Sequence, residues 1–312
     1  MTNRRQFLQR CAASAAGLWI SPVLTNVGTD PSRSFPTQPH DRIAVSSYPF
    51  RDFITGSDKK SSQPKVELKD FAAHVIEKFH VNKIEPWTGH FPSTDHKYLE
   101  QYRRALEASH AQVVNMAVDG ERSPYAADRD EREQAIAFSK RWIDVAAAIG
   151  SPSIRANIPE AHDSKPDLER AAGSLSQVVE YAQSRDVVVH LENDNPISED
   201  PSFLVALIAK VNSPWLRALP DFANTLARGD QEYAYKSIDN LFAHAYGICH
   251  VKELEIDETN RPVHVDMVKT FGILKHRRYK GYCSIEWDSP GDPYAGTAAL
   301  IENTTRYLSE TS

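Results

Sequence analysis

Val187-Val188-Val189-His190-Leu191-Glu192 is an apolar run that ends in a carboxylate, and three later stretches repeat the arrangement. Leu216-Arg217-Ala218-Leu219-Pro220-Asp221 closes on an aspartate, Gly247-Ile248-Cys249-His250-Val251 carries an imidazole, and Tyr282-Cys283-Ser284-Ile285-Glu286 closes on a second glutamate. The four residues stand 29, 29 and 36 positions apart. About 30 residues is what one strand, one helix and two short loops require. Side chains on that period converge only if the strands lie parallel around a common axis. Such an arrangement is the mouth of a (β/α)8 TIM barrel, where sites form at the carboxyl ends of the strands. Glu192, Asp221, His250 and Glu286 thus read as one metal ligand per strand. Singly, each has a plainer reading: an aspartate after a strand is often a helix cap, and a lone buried histidine is often just hydrogen-bonded. Four at one strand position favour the metal, because buried charge is rare unless paired or coordinated.

Working outward, further strand-like runs fall at Ile43 to Tyr48, Lys83 to Trp87, Gln112 to Val118 and Ser153 to Asn157, making eight with those ending near Glu192, Asp221, Lys252 and Trp287. Between them, Leu68, Phe71, Ala72, Val75, Ile76 and Phe79 trace a three-to-four residue period, as do Ala135, Phe138, Trp142, Val145 and Ile149. These stripes are core packing. Further helices are expected over about 95–110, 166–185, 201–212, 231–245, 264–276 and 294–310, with Gly150 and Pro201 as ordinary punctuation. The eight-fold count, and the lack of a Gly-x-Gly-x-x-Gly turn after the first strand, favour a closed barrel over an open doubly wound sheet.

With 312 residues, 41% hydrophobic and 25% charged, the chain can bury one full barrel core. A formal net charge of −6 and the absence of any run of five Lys or Arg argue against a nucleic-acid partner. The amino-terminal region follows other rules. Arg4-Arg5-Gln6-Phe7-Leu8 is a twin-arginine pattern, followed by the small and apolar stretch Cys11 to Leu24. That stretch is too short for a membrane span and suits an export signal, making the twin-arginine export machinery an expected partner and the periplasm the expected location. Gly28 to His40 reads as a linker, so residues 1–35 are assigned to signal and linker and 36–312 to the barrel. Signal removal leaves Cys249 and Cys283, which strand alternation turns outward beneath the helices as free thiols.

His190-Leu191-Glu192-Asn193, Leu219-Pro220-Asp221-Phe222-Ala223-Asn224, His250-Val251-Lys252-Glu253 and Ser284-Ile285-Glu286 together resemble the last four strand ends of the xylose isomerase-like sugar isomerase/epimerase barrels. The resemblance spans roughly Ile43 to Leu308. It implies one divalent cation (Mn, Mg, Co or Zn) on Glu192, Asp221, His250 and Glu286, with Glu192 and Glu286 as the paired acid/base residues. It also implies a small carbohydrate substrate, enolised next to its carbonyl through an enediolate. Strand position makes Tyr48, Glu85, Trp87, His90, Asn157, Asn224 and Lys252 expected substrate contacts. Arg155 is balanced between that role and an ion pair, and His190 is expected deeper, as a structural hydrogen-bonding residue.

The sequence departs from the family pattern in two places. Asn224 stands where several epimerases carry histidine, and Asp194 follows Glu192-Asn193 where histidine is common. Asn224 can bond a hydroxyl but cannot shuttle a proton near neutral pH. Isomerisation, epimerisation, β-elimination from a 3-keto-glycoside, and non-catalytic sugar binding all remain open at this point, as does self-association into a homo-oligomer. Apurinic-site cleavage ranks lowest, because its three-metal cluster needs more strand-end histidines.

Overall fold

The computed structural model describes residues 31–55, 65–194, 201–228, 230–257 and 259–310; the twin-arginine stretch lies outside them. Barrel strands are β1 (Ile43–Ser46), β2 (Lys83–Glu85), β3 (Gln112–Val113), β4 (Met116–Val118), β5 (Ser153–Ala156), β6 (Val188–Glu192), β7 (Leu216–Leu219) and β8 (Ile248–Val251). A hairpin of β9 (Leu254–Ile256) and β10 (Pro262–His264) follows, and β11 (Tyr282–Ile285) completes the set. All barrel pairings are parallel, in the orders β3-β2-β1-β11-β8 and β4-β5-β6-β7. Single parallel bridges, Trp87 to Ala117 on one side and Asp221 to His250 on the other, join the two sheets into a ring.

The run expected as one strand over Gln112–Val118 is broken at Val114-Asn115. Val114 packs in the small apolar cluster with Ala44, Leu219 and Ile248, while Asn115 bonds to Glu85. Two successive residues therefore face the interior, which uninterrupted alternation forbids and a β-bulge provides.

Eight described helices surround the ring: α1 (Phe71–Phe79), α2 (His96–Ser109), α3 (Arg129–Ile149), α4 (Leu168–Ser184), α5 (Pro201–Val211), α6 (Gln231–Phe242), α7 (Met267–His276) and α8 (Pro293–Glu310). The periodic stripes face inward as expected: Phe71, Ala72, Val75 and Phe79 of α1 are buried, as are Ala135, Trp142, Val145 and Ile149 of α3. Asp95, Asp128, Asp167, Asp230 and Asp266 cap five helices by accepting backbone N–H bonds at 2.8–3.0 Å, each worth about 1 kcal/mol. Gly150 ends α3 with φ +79°, a left-handed conformation that costs glycine least. Among the described residues no helix is long and apolar enough to cross a membrane.

Cys249 and Cys283 are register partners on β8 and β11, buried and free, with their sulfurs 3.8 Å apart in the core beneath the helices. At the opposite end from the strand mouths, the segment from Pro31 expected as linker lies against the barrel. Phe35 stands edge-on to Tyr246 and Tyr282, at ring separations of 5.4 and 5.7 Å. The Tyr246 hydroxyl donates to the Pro31 carbonyl and accepts from the Arg33 N–H, and the Arg33 guanidinium pairs with Asp186. This contact is remote from the strand ends that carry the candidate ligands. Phe35→Ala is expected to lower unfolding stability in urea by about 2–3 kcal/mol, from lost apolar burial and two aromatic pairs, without changing metal affinity at the mouth. An unchanged urea midpoint would show that the segment does not hold the floor.

Candidate metal centre

Each mouth residue is aimed by the strand before it. On β6, Glu192 lies two places beyond inward-facing His190. On β8, Lys252 lies two places beyond His250, and beyond β11, Glu286 lies two places past Ser284, so alternation stacks them along the barrel axis. Asp221 is positioned differently. Its Oδ1 accepts the N–H groups of Ala223 and Asn224, both at 2.8 Å, so half of the carboxylate serves as a turn cap. The other oxygen is buried without a hydrogen-bond donor, as is Glu192 Oε2. Asn193 ties the two strand ends together: its Oδ1 accepts from the Asp221 N–H at 2.8 Å and its Nδ2 donates to Thr225 Oγ1 at 2.8 Å.

One ligand atom from each of Glu192, Asp221, His250 and Glu286 lies within 4.8 Å of the others, and all four residues are buried. His250 Nδ1 faces this group, 2.8 Å from Glu192 Oε1 and 3.3 Å from Glu286 Oε2. Three carboxylates, one imidazole and two undonated oxygens suit a hard or borderline divalent ion. The residues present therefore fit such a group.

Lys252 reaches into the same cluster. Its Nζ is 3.2 Å from Glu286 Oε2, 3.6 Å from Asp221 Oδ2 and 3.1 Å from Asn224 Oδ1. On the other flank, Arg155 is only 5% exposed. Its guanidinium bonds to Asp119 at 2.5 Å and pairs with Glu192 Oε2 at 2.9 Å, without hydrogen-bond alignment to the latter.

These partners set the protonation. Burial is the largest influence on Glu192 and lifts its carboxyl to about 7, against the opposing pull of His250 and Arg155. Burial also pushes Glu286 upward, but His250 and Lys252 outweigh it and hold the carboxyl below the ordinary range. His250 is drawn the other way: burial disfavours its imidazolium, yet Glu286, Glu85 and Glu192 together raise it well above its usual value. Lys252 likewise stays charged because Asp221 and Glu286 overcome its desolvation.

Above the cluster opens a cavity of about 480 Å³, walled in part by Tyr48, Arg155, Asn157, Asn224, Lys252 and Glu286. Of the expected substrate contacts, Tyr48, Asn157, Asn224 and Lys252 line it. Asn224 keeps its buried Nδ2 without an acceptor, hence able to donate to a ligand hydroxyl.

Three other expected contacts do not line the cavity. Trp87 donates from Nε1 to Asp119 Oδ2 at 2.5 Å and packs edge-on to Tyr48, making it a support of the wall. His90 is 1% exposed, with Nδ1 hydrogen-bonded to the Ser47 hydroxyl at 2.9 Å, and burial lowers it to about 4, so it stays neutral. Glu85 is fully buried below the ligand ring, against His250. β2 ends at Glu85, and the helical turn Thr88–His90 that follows is tied to Ser47, whose hydroxyl meets His90 Nδ1 and the Trp87 N–H. His190 is buried and neutral, lowered to about 3 by desolvation, and its Nε2 accepts from the Gly247 N–H at 3.3 Å.

Sequence reading missed several wall residues, Asp119, Asp288, Glu255 and Ile256 among them. Asp119 follows β4 as the ligands follow their strands, so its strand-end position was a usable signal. Asp288 pairs with Arg51 at 2.7 Å, and Arg51 in turn covers the Tyr48 ring at 4.4 Å. Glu255 and Ile256 enter from β9, a hairpin that no alternation pattern announced.

A family model described as xylose isomerase-like TIM barrel matches residues 68–308, more than half of the chain. The chain belongs to the xylose isomerase-like TIM-barrel family. Among solved structures it is similar to D-psicose 3-epimerase with D-tagatose from Clostridium cellulolyticum H10 (TM-score 0.63, 12% identity, covering 86% of this chain and 97% of that one). A xylose isomerase-like TIM-barrel protein from Mycobacterium smegmatis in complex with magnesium is also similar (TM-score 0.66, 16% identity, 86% and 97% covered). So is 3-keto-D-glucoside 4-epimerase from E. coli (TM-score 0.62, 12% identity, 84% and 98% covered). No curated protein matches the sequence.

A divalent ion entering this cluster must displace the proton on His250 Nδ1 and any proton on Glu192. Below pH 7 both are present, so about two protons should leave per ion. Above pH 7 Glu192 is already ionised and about one should leave. Apparent Mn affinity is therefore expected to rise with pH, with a log-log slope near 2 that falls toward 1. Calorimetry in buffers of different ionisation enthalpy measures the count; pH-independent binding without proton release would contradict this assignment.

Proposed function

We propose that the protein is a divalent-metal-dependent isomerase or epimerase acting on a sugar or sugar derivative, by proton transfer at the carbon next to a carbonyl. The observation that carries this reading is the pair Glu192 and Glu286, two buried carboxylates that flank His250 Nδ1 at 2.8 and 3.3 Å at the base of a polar cavity. Two ionisable carboxylates that face one cavity from different strands can remove a proton and return it.

A divalent ion bound by Glu192, Asp221, His250 and Glu286 supplies positive charge that polarises a carbonyl and acidifies the adjacent C–H. The side chains do the rest. Glu286 accepts the proton from carbon, and Glu192, after taking up a proton from solvent or from a substrate hydroxyl, returns one from the other flank. Because transfer exchanges their states, both must be ionisable. The Lys252 ammonium stabilises negative charge growing on the substrate oxygen. Asn224 and Asn157 orient hydroxyls, while Tyr48, propped by Arg51 and Trp87, forms the wall.

A second reading, elimination from a 3-keto-glycoside, gains support from Glu255. It enters the cavity from β9, 3.8 Å from Lys252, and burial raises its carboxyl above the usual range. A carboxylic acid in that position is a suitable proton donor to a departing group. We also propose export in the folded state through the Arg4-Arg5 pattern and action in the periplasm, with the packed segment from Pro31 retained in the mature protein.

Incubation of the Mn-loaded protein in D2O with a panel of free ketoses and 3-keto-glucosides separates these readings. Epimerisation or isomerisation predicts solvent deuterium in the recovered sugar; elimination predicts released aglycone. Neither product from a protein that binds the sugars would mark a non-catalytic barrel. Glu192→Gln and Glu286→Gln are each expected to lower turnover by about 10²–10⁴-fold, and full activity in either variant would contradict the paired acid/base mechanism.

A further inference from the structure

The polar network beneath the ligand ring is not used by the acid/base chemistry, and it converges on one residue. Glu85, at the end of β2, is 0% exposed. Its Oε1 accepts from Asn115 Nδ2 at 2.6 Å, its Oε2 accepts from Ser284 Oγ at 2.5 Å, and both oxygens lie 3.0 Å from His250 Nε2. Asn115 is itself fixed, because its Oδ1 accepts from Ser153 Oγ at 2.6 Å. The bulge at Val114-Asn115 exists where this contact is made, turning Asn115 inward beside an apolar neighbour. Three residues from the bulge, β5 and β11 thus hold the β2 carboxylate against the face of His250 that points away from the ligands.

We infer that Glu85 is a positioning residue for the metal centre: by accepting the Nε2–H of His250 it fixes the tautomer and ring orientation that leave Nδ1 to the metal. The proposal rests on the metal reading of Glu192, Asp221, His250 and Glu286. Its physical basis is general. A ligating imidazole whose other nitrogen donates to a carboxylate is locked in orientation and made a stronger donor, and loss of such a partner typically weakens metal affinity by about ten- to a hundredfold. Without Glu85 the ring could carry its proton on Nδ1, or rotate toward the barrel axis, and in either case the ligand set falls to three carboxylates.

The test is Mn binding, followed by calorimetry and by the electron paramagnetic resonance of the bound ion, in the full chain and in Glu85→Ala and Glu85→Gln. In Glu85→Ala the dissociation constant should rise about ten- to a hundredfold and the resonance of bound Mn should change shape. Glu85→Gln keeps an acceptor for Nε2–H and should recover part of that loss. If Glu85→Ala lowers thermal stability but binds Mn as the unsubstituted chain does, Glu85 is merely structural and the proposal is overturned. Failure of the unsubstituted chain to bind Mn would instead remove the metal reading, and this proposal with it. Should Glu85→Ala not fold, the Zn-loaded unsubstituted protein decides the matter through its histidine nitrogen resonances, that of His250 assigned by its loss in His250→Gln. A proton on Nε2 and metal on Nδ1 are expected; the reverse arrangement overturns the proposal.

Discussion

His250 is buried to 0% exposure between Glu85 on one side and Glu192 and Glu286 on the other, and the mouth of the barrel is organised around neutralising the charge gathered there. Glu85, Glu192, Asp221 and Glu286 place four carboxylates in a region nearly closed to water, where uncompensated charge is prohibitively expensive. Lys252 and Arg155 offset two of them. In the metal-free state the imidazolium of His250, raised by the surrounding carboxylates, and a proton on Glu192, raised by burial, offset the remainder. One divalent ion in place of those two protons would leave the balance intact. The same count explains why Lys252 sits among the ligand carboxylates, with its ammonium counted in the balance as well as facing the cavity.

That constraint propagates into the scaffold. Glu85 can be buried because three donors satisfy it, one of which, Asn115, is available only through the bulge that splits the third strand of the barrel. Asp221 can serve as both cap and ligand because Asn193 and the turn at Ala223-Asn224 occupy its backbone and one oxygen. Below this polar layer the barrel returns to apolar packing, with Ala44, Val114, Leu219 and Ile248 in the interior, closed from beneath by Phe35 and its two tyrosines.

Much of this was legible in the sequence, for identifiable reasons. Strands with one buried end residue every 30 or so positions, separated by amphipathic helices, leave few architectures other than a closed parallel barrel. The two periodicities locate the helices to within a few residues. Glu192, Asp221, His250 and Glu286 stood out because charge at the end of an apolar run is unusual. What resisted reading depends on contacts across strands. Glu85 looked like a mouth residue because β2 was expected to continue to Trp87; the strand stops at Glu85, and the side chain turns beneath the ring. The bulge at Val114-Asn115 interrupts a run with full strand character. His90 and Trp87 follow the strand in sequence, but hydrogen bonds to Ser47 and Asp119 turn them into the wall. Glu255 arrives on a hairpin whose pairing, Leu254 with His264, is set by a turn and not by an apolar pattern.

The central claim is that these four strand ends form one metal centre bound through His250 Nδ1. Anomalous diffraction at the manganese edge, from crystals grown with Mn, tests it most directly. A single peak within about 2.0–2.3 Å of His250 Nδ1 and of oxygens from Glu192, Asp221 and Glu286 is expected, by the usual lengths of nitrogen and oxygen ligand bonds. A peak elsewhere on the protein, or none at this ring at saturating Mn, would contradict it.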